Sequence, residues 1–239
     1  MVKNIIILLI FLTPLAYNQN EKPEIDNDYF LIGTLGDYMG REKFKNIEER
    51  VDKYYKSEKK LCTSIDSMFK NNYPDLKLSS LKYKTSKQRI FELHSKILSK
   101  TIESFFTYKP SGRGTFKGDM AFKDIDYDTI EDLPGFVNKH YDTIYQGNLR
   151  PEKFNTEIQK LSFVTGAYVR YGWKKDSLYQ ISVANSTSKV KLLDSLLKEL
   201  GCNHVNYEMR MAIPVSHKIS FKPTDQLKAY FDTYKKLRE

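Results

Sequence analysis

The chain has two cysteines, one tryptophan, eleven glycines and eight prolines in 239 residues, and each scarcity removes a class of protein. Two cysteines are too few for the bridge-dense scaffold of a small secreted module. Apart from Cys202 and His204, neither stands at metal-ligand spacing from another cysteine or histidine, so a structural zinc site is excluded. The chain has no G-x-S-x-G elbow and no H-E-x-x-H helix, which leaves serine-hydrolase and zinc-protease readings without a motif. RNP, helix-turn-helix and zinc-finger patterns are missing as well, so seventeen tyrosines among many lysines have no nucleic-acid module to organise them. No internal repeat or low-complexity tract is visible.

The few glycines cluster twice, in GTLGDYMG (33–40) and in PSGRGTFKG (110–118). A phosphate-cradling loop leaves a strand, enters a helix and carries Gly-Lys followed by Ser or Thr. Lys117 is followed by Gly118 and Asp119, so the second cluster reads as an ordinary turn. The first lacks the glycine spacing and acidic partner of a dinucleotide fingerprint.

The one long apolar run lies at the amino terminus, where Ile5 to Leu12 follows Lys3 and precedes Pro14 and Ala16. This layout predicts a signal peptide over residues 1–18, and it is too short for a membrane span. The expectation is therefore an exported, periplasmic or extracellular chain with no transmembrane anchor, in which Cys62 and Cys202 are candidates for one disulfide or for two buried thiols.

Charge is plentiful and uneven. Lys and Arg number 39 against 30 Asp and Glu, a formal net charge of +9. Residues 70–100 are strongly basic and residues 119–132 strongly acidic. Within the acidic stretch, Asp124, Asp126 and Asp128 match the first three ligand positions of a calcium loop, but Thr129 stands where that loop needs glycine and Gly135 where it needs glutamate. No metal and no cofactor are expected.

Periodicity predicts α+β architecture. Apolar spacings of three and four predict helices over 41–71, from Thr85 or Ser86 to Pro110, and over 151–172, with His94 on the apolar stripe of the second. Gly166 inside the third would let another element approach closely. After Trp173 the period changes to two at Tyr179, Ile181 and Val183, and again from Val205 to Ile213, with helices capped at Ser186 or Thr187 and at Thr224. The expectation is a helical N-terminal half packed on a small, mainly antiparallel sheet of order β-α-β-β-α in the C-terminal half. Residues 19–239 form a single domain in this reading, with subdomains 41–172 and 173–239 as the alternative.

His140 and His217 are the candidate catalytic residues, because a dispersed Asp, Glu and His site needs no contiguous motif. The function these features predict is a soluble, non-enzymatic exported protein that binds another protein or an anionic envelope component, with a periplasmic immunity or inhibitor protein as its concrete form and no nucleic-acid partner. The alternative is a secreted hydrolase.

Overall fold

A helix that is apolar on every side belongs in the interior of a fold. The segment Glu157–Tyr171 is such a helix: each residue from Leu161 to Val169 is buried. Thr156 and Gln159 start it with a reciprocal capping box. Against it lies a shorter helix, α1 (Asn27–Thr34), which begins where the Asp26 carboxylate accepts from the Asp28 and Tyr29 backbone amides. The computed structural model describes residues 22–36, 41–43, 50–82, 89–110, 115–116, 129, 131–132, 141–142, 145–211 and 214–239.

The two helices touch backbone to backbone. A Cβ on Gly33 of α1 would stand 2.2 Å from the Phe163 carbonyl oxygen, and one on Gly166 would stand 2.0 Å from that of Phe30. The contact is reciprocal: in both helices a Phe-x-x-Gly tetrad supplies the glycine and, three residues earlier, the carbonyl it meets.

The remaining elements obey the same symmetry. After α1 come β1 (Arg41–Lys43), β2 (Arg50–Tyr55), α2 (Lys59–Phe69), β3 (Lys77–Lys82), β4 (Arg89–His94) and α3 (Lys96–Glu103). Strands β5 (Phe106–Pro110), β6 (Thr115–Phe116), β7 (Tyr141–Asp142) and β8 (Tyr145–Leu149) intervene. The second series is α4 (Glu157–Tyr171), β9 (Gly172–Lys175), β10 (Leu178–Ala184), α5 (Thr187–Glu199), β11 (Asn203–Arg210), β12 (Ser216–Lys222) and α6 (Asp225–Tyr234). Each series reads αββαββα. The sheets run β2-β4-β3 and β9-β10-β12-β11, with β1 diverted into a third sheet, β1-β8-β5. Every pairing among the described strands is antiparallel.

The chain is therefore a mixed α/β fold with helices spread throughout, which corrects the expected helical N-terminal half, and it contains the internal repeat that the sequence does not advertise. The predicted helix over 41–71 is two strands and a helix, because Val51 to Tyr55 is a short β-branched and aromatic run whose spacing fits either period. The next predicted helix divides at Ser95, which caps α3 through the Leu98 amide and leaves 89–94 as a strand. His94 accordingly sits on β4, half-exposed and 3.2 Å from Glu92, and not on a helix stripe. The predicted signal peptide, 1–18, lies outside the described residues, as does most of PSGRGTFKG.

Each sheet has a covered face and an open one. In the second, Tyr179, Ile181, Val183, Ile219 and Phe221 are buried in one apolar core that runs through both repeats. The opposite faces carry Gln180, Ser182, Ser216 and Lys218 in cross-strand register.

The glycine crossing predicts a sharp steric threshold. Gly166→Ala and Gly33→Ala should each destabilise by the upper end of the about 1–3 kcal/mol usual for overpacking or beyond it, whereas Gly201→Ala should act only through its positive φ of 74°, since nothing there lies closer than 3.8 Å. Urea unfolding midpoints would check the ranking.

Candidate functional site

The carbonyl end of α1 meets the second repeat in a buried polar junction. Its last turn leaves backbone carbonyls without partners inside the helix, and side chains from across the repeat boundary supply donors. Lys189 of α5, fully buried, donates to the Gly33 and Leu35 carbonyls at 3.2 and 2.6 Å. The Tyr171 hydroxyl donates to Thr34 and Leu35. Arg170 donates to Thr34 at 2.7 Å. Cations at a helix C-terminus also meet the negative end of the helix dipole.

Arg170 engages every donor it owns. Nε donates to Glu58 at 2.8 Å, Nη1 to the Thr34 carbonyl and to Asp52 at 2.6 Å, and Nη2 to the Lys53 carbonyl and to Glu58. A guanidinium has five N–H groups, so none remains for a ligand. Its plane lies 4.5 Å from the centre of the Tyr54 ring, a cation–π contact. Burial opposes the charge, but Tyr171, Asp52, Tyr54 and Glu58 outweigh it and hold the pKa well above the ordinary arginine value.

The carboxylates are equally committed. Asp52 accepts from Arg170 and the Gly36 amide on one oxygen and from the Lys53 amide on the other. Glu58 accepts from Arg170 and from the Tyr55 amide. A hard divalent cation needs several free oxygen ligands. The described residues of this junction do not fit one: the last turn of α4 ends Val169-Arg170-Tyr171 and offers no carboxylate. Among the described residues, no group of three His, Cys, Asp or Glu could hold a metal ion.

Beside the junction a cavity of about 200 Å³ opens between the repeats, with Tyr54 and Tyr55 of β2 on one side and Tyr171, Val183 and Ala184 on the other. A second groove follows the open face of the second sheet, lined by Trp173, Lys175, Gln180, Arg210 and Lys218. Its counterpart on the first sheet presents Arg50, Lys53, Tyr55 and Lys77 around Glu92, which lies 3.9 Å from Arg50.

The residues singled out in the sequence do not converge here. His140, Asp124, Asp126 and Asp128 lie outside the described residues. His217 is buried on β12, where Nδ1 and the Tyr207 hydroxyl are 2.8 Å apart and the rings stack. Its Nε2 has no hydrogen-bond partner, and no carboxylate contact orients it. Cys62 and Cys202 are two separate, buried, free thiols. Arg170 and Lys189 were missed, although a lone arginine in an otherwise apolar helix is a signal: a buried charge must be paired.

The fold resembles that of the homing endonuclease I-DmoI. A mesophilic variant of I-DmoI matches over 88% of this chain and 95% of its own, at 13% identity and a TM-score of 0.50. Other similar structures are an I-DmoI variant in complex with its target DNA in the presence of manganese (13% identity, 88% of this chain and 93% of that chain, TM-score 0.48) and I-DmoI in complex with DNA and manganese (13%, 87% and 96%, 0.47). No family model and no curated protein sequence matches the chain.

This likeness overturns the expected function. The expected exported, non-enzymatic protein-binding module of the periplasmic immunity or inhibitor kind, its secreted-hydrolase alternative and the exclusion of a nucleic-acid partner are corrected by the likeness to a homing-endonuclease fold. The periplasmic or extracellular location rested on residues 1–18 alone and falls with it. The physical reason for the error is that paired antiparallel sheets are assembled from dispersed strands and need no contiguous sequence pattern.

Two outcomes follow from the junction and the thiols. Arg170→Met strands Asp52 and takes a donor from the Thr34 and Lys53 carbonyls, and breaking a buried pair in this way costs about 3–5 kcal/mol, on the order of 10 °C in melting temperature for a chain of this size. The triple variant with Asp52→Asn and Glu58→Gln should recover part of that loss. Burial pushes the Cys62 thiol up to about 12 and raises Cys202 as well, so both stay protonated and unreactive at pH 8. Iodoacetamide should leave the native protein unmodified and label both cysteines, without reductant, once it is unfolded.

Proposed function

We propose that the chain binds duplex DNA across the open faces of its two equivalent sheets. The observation that carries this reading is the pairing of topologically matched antiparallel sheets, each covered by helices on one side and bearing polar and basic side chains on the other. Strands are suited to the task, because a β-ribbon fits the major groove and successive residues on one face reach along it. Lys and Arg on such a face neutralise phosphates and release counterions, and the surplus of +9 acts in the same direction. I-DmoI supports the reading, since it has been solved in complex with DNA on a similar fold.

Cutting is a separate matter. The I-DmoI structures with DNA also contain manganese. In this chain the described carboxylates at the helix junction are consumed by Arg170 and by backbone amides, and α4 ends without one. Among the described residues, no group of three His, Cys, Asp or Glu in either repeat stands together to hold a metal ion. We therefore read the chain as a DNA-binding protein, and no cleavage step is derived for it.

Fluorescence anisotropy with a labelled duplex of about 30 base pairs tests the proposal. Binding should weaken steeply with salt, with a slope of about −0.9 per phosphate contacted. Changing Lys175 and Arg210 together to glutamate should weaken it at least tenfold and flatten the slope by about two contacts. Affinity that ignores salt, or no binding at low salt, would overturn the reading. Supercoiled plasmid incubated with magnesium or manganese should be retained without conversion to the linear form.

A further inference from the structure

The open faces of the two sheets are alike in topology and unlike in chemistry at one pair of equivalent rows. Tyr55 closes β2 and stands in register with Ile90 of β4, which is in register in turn with Leu81 of the edge strand β3. Tyr55 is 60% exposed and Leu81 52%, with Ile90 buried between them. The neighbouring rows of the same face are charged: Lys53 with Glu92, then Arg50 with His94 and Lys77. Contiguous apolar side chains exposed on an otherwise charged face mark a contact surface. The matching row of the second sheet, at the end of β10, is Ala184, Ser216 and Arg210, and Arg210 is exposed in the groove there.

We propose that the row of Tyr55, Ile90 and Leu81 reads the C5 methyl groups of thymine in the major groove, in one half of the bound site only. The inference rests on the DNA-binding reading above. An apolar row cannot engage a phosphate, and the thymine methyl is the apolar group that base edges present in the major groove. A G·C pair presents donors and acceptors there, which would lose water against this row without gaining a partner. With strands about 4.8 Å apart the row extends about 10 Å, on the order of three steps of a duplex that rises about 3.4 Å per pair. At the equivalent place in the other half stands Arg210, whose guanidinium suits the O6 and N7 acceptors of guanine. A two-fold symmetric duplex would offer both rows the same bases and satisfy one of them. The preferred target is therefore not a palindrome.

The test takes the duplexes that the protein selects from a randomised pool and measures their affinity by anisotropy after thymine is replaced with deoxyuridine, one half at a time. The replacement removes the methyl and leaves every hydrogen-bonding group and phosphate in place. In one half it should weaken binding about threefold for each methyl lost, and in the other it should change little. Replacing the half-exposed Tyr55 and Leu81 together by serine should keep the melting temperature and erase that penalty, so that thymine and uracil bind alike. Arg210→Ala should weaken binding and leave the penalty intact. A palindromic or absent consensus, equal affinity for thymine and uracil in both halves, or a penalty that survives the double serine variant overturns the methyl contact while salt-dependent DNA binding stands. No binding to any duplex at low salt overturns both.

Discussion

The distance between α1 and α4 is fixed by two hydrogen atoms. With glycine at 33 and 166, each helix can press its backbone on a carbonyl of the other, and any larger residue would stand inside van der Waals contact. Packing this close is non-negotiable in a dense interior, where neighbours cannot give by an ångström. Both αββαββα repeats hang from these helices. The position of each sheet relative to the other follows from one pair of absent side chains.

The approximate symmetry is broken where the helices end. The carbonyls of α1 are capped by Arg170, Tyr171 and Lys189, all from the second repeat. Those at the end of α4 are capped by Arg238, which donates to Tyr168, Val169 and Gly172 from the last turn of the chain. Each helix thus depends on sequence far downstream for the groups that finish it. That dependence ties the repeats into one cooperative unit. It also gives the arginines a reason to be buried, since the same carbonyls in a low-dielectric interior would otherwise be orphaned.

How much of this could be read from the sequence differs between the halves for a physical reason. In β10 and β12 the alternation is clean because one face packs on α4, α5 and α6 while the other is open, so the period of two survives in the residues. Helices α5 and α6 were legible for the same reason and α4 by its long apolar run, and Thr224 caps α6 as its chemistry suggests. In the first half β2 is interrupted by a bulge between Arg50 and Asp52, and β3 exposes Leu78 and Leu81. Their pattern is blurred, and helical spacing fits it as well as strand spacing does. The repeat itself left only FLIG and FVTG as a trace, four residues whose meaning depends on knowing that they face one another. The ion network was beyond reach, because its partners are separated by 112, 118 and 136 residues and no local spacing encodes such a meeting.

A shared fold constrains the placement of strands and helices more than the chemistry of their side chains. Side chains on the open strands can be replaced while the sheets remain intact. The helix junction obeys a stricter rule. The Arg170 and Asp52 side chains are buried there, so whatever group occupies the end of α4 must be matched by its surroundings, and Arg170 has recruited Asp52 and the partly exposed Glu58 from the other repeat to do so. Once carboxylates serve a guanidinium they are poor ligands for a cation, because the metal would have to displace a neighbour already held by short, charge-assisted bonds. The helix junction is therefore fixed by its own internal pairing, while the open strands are not.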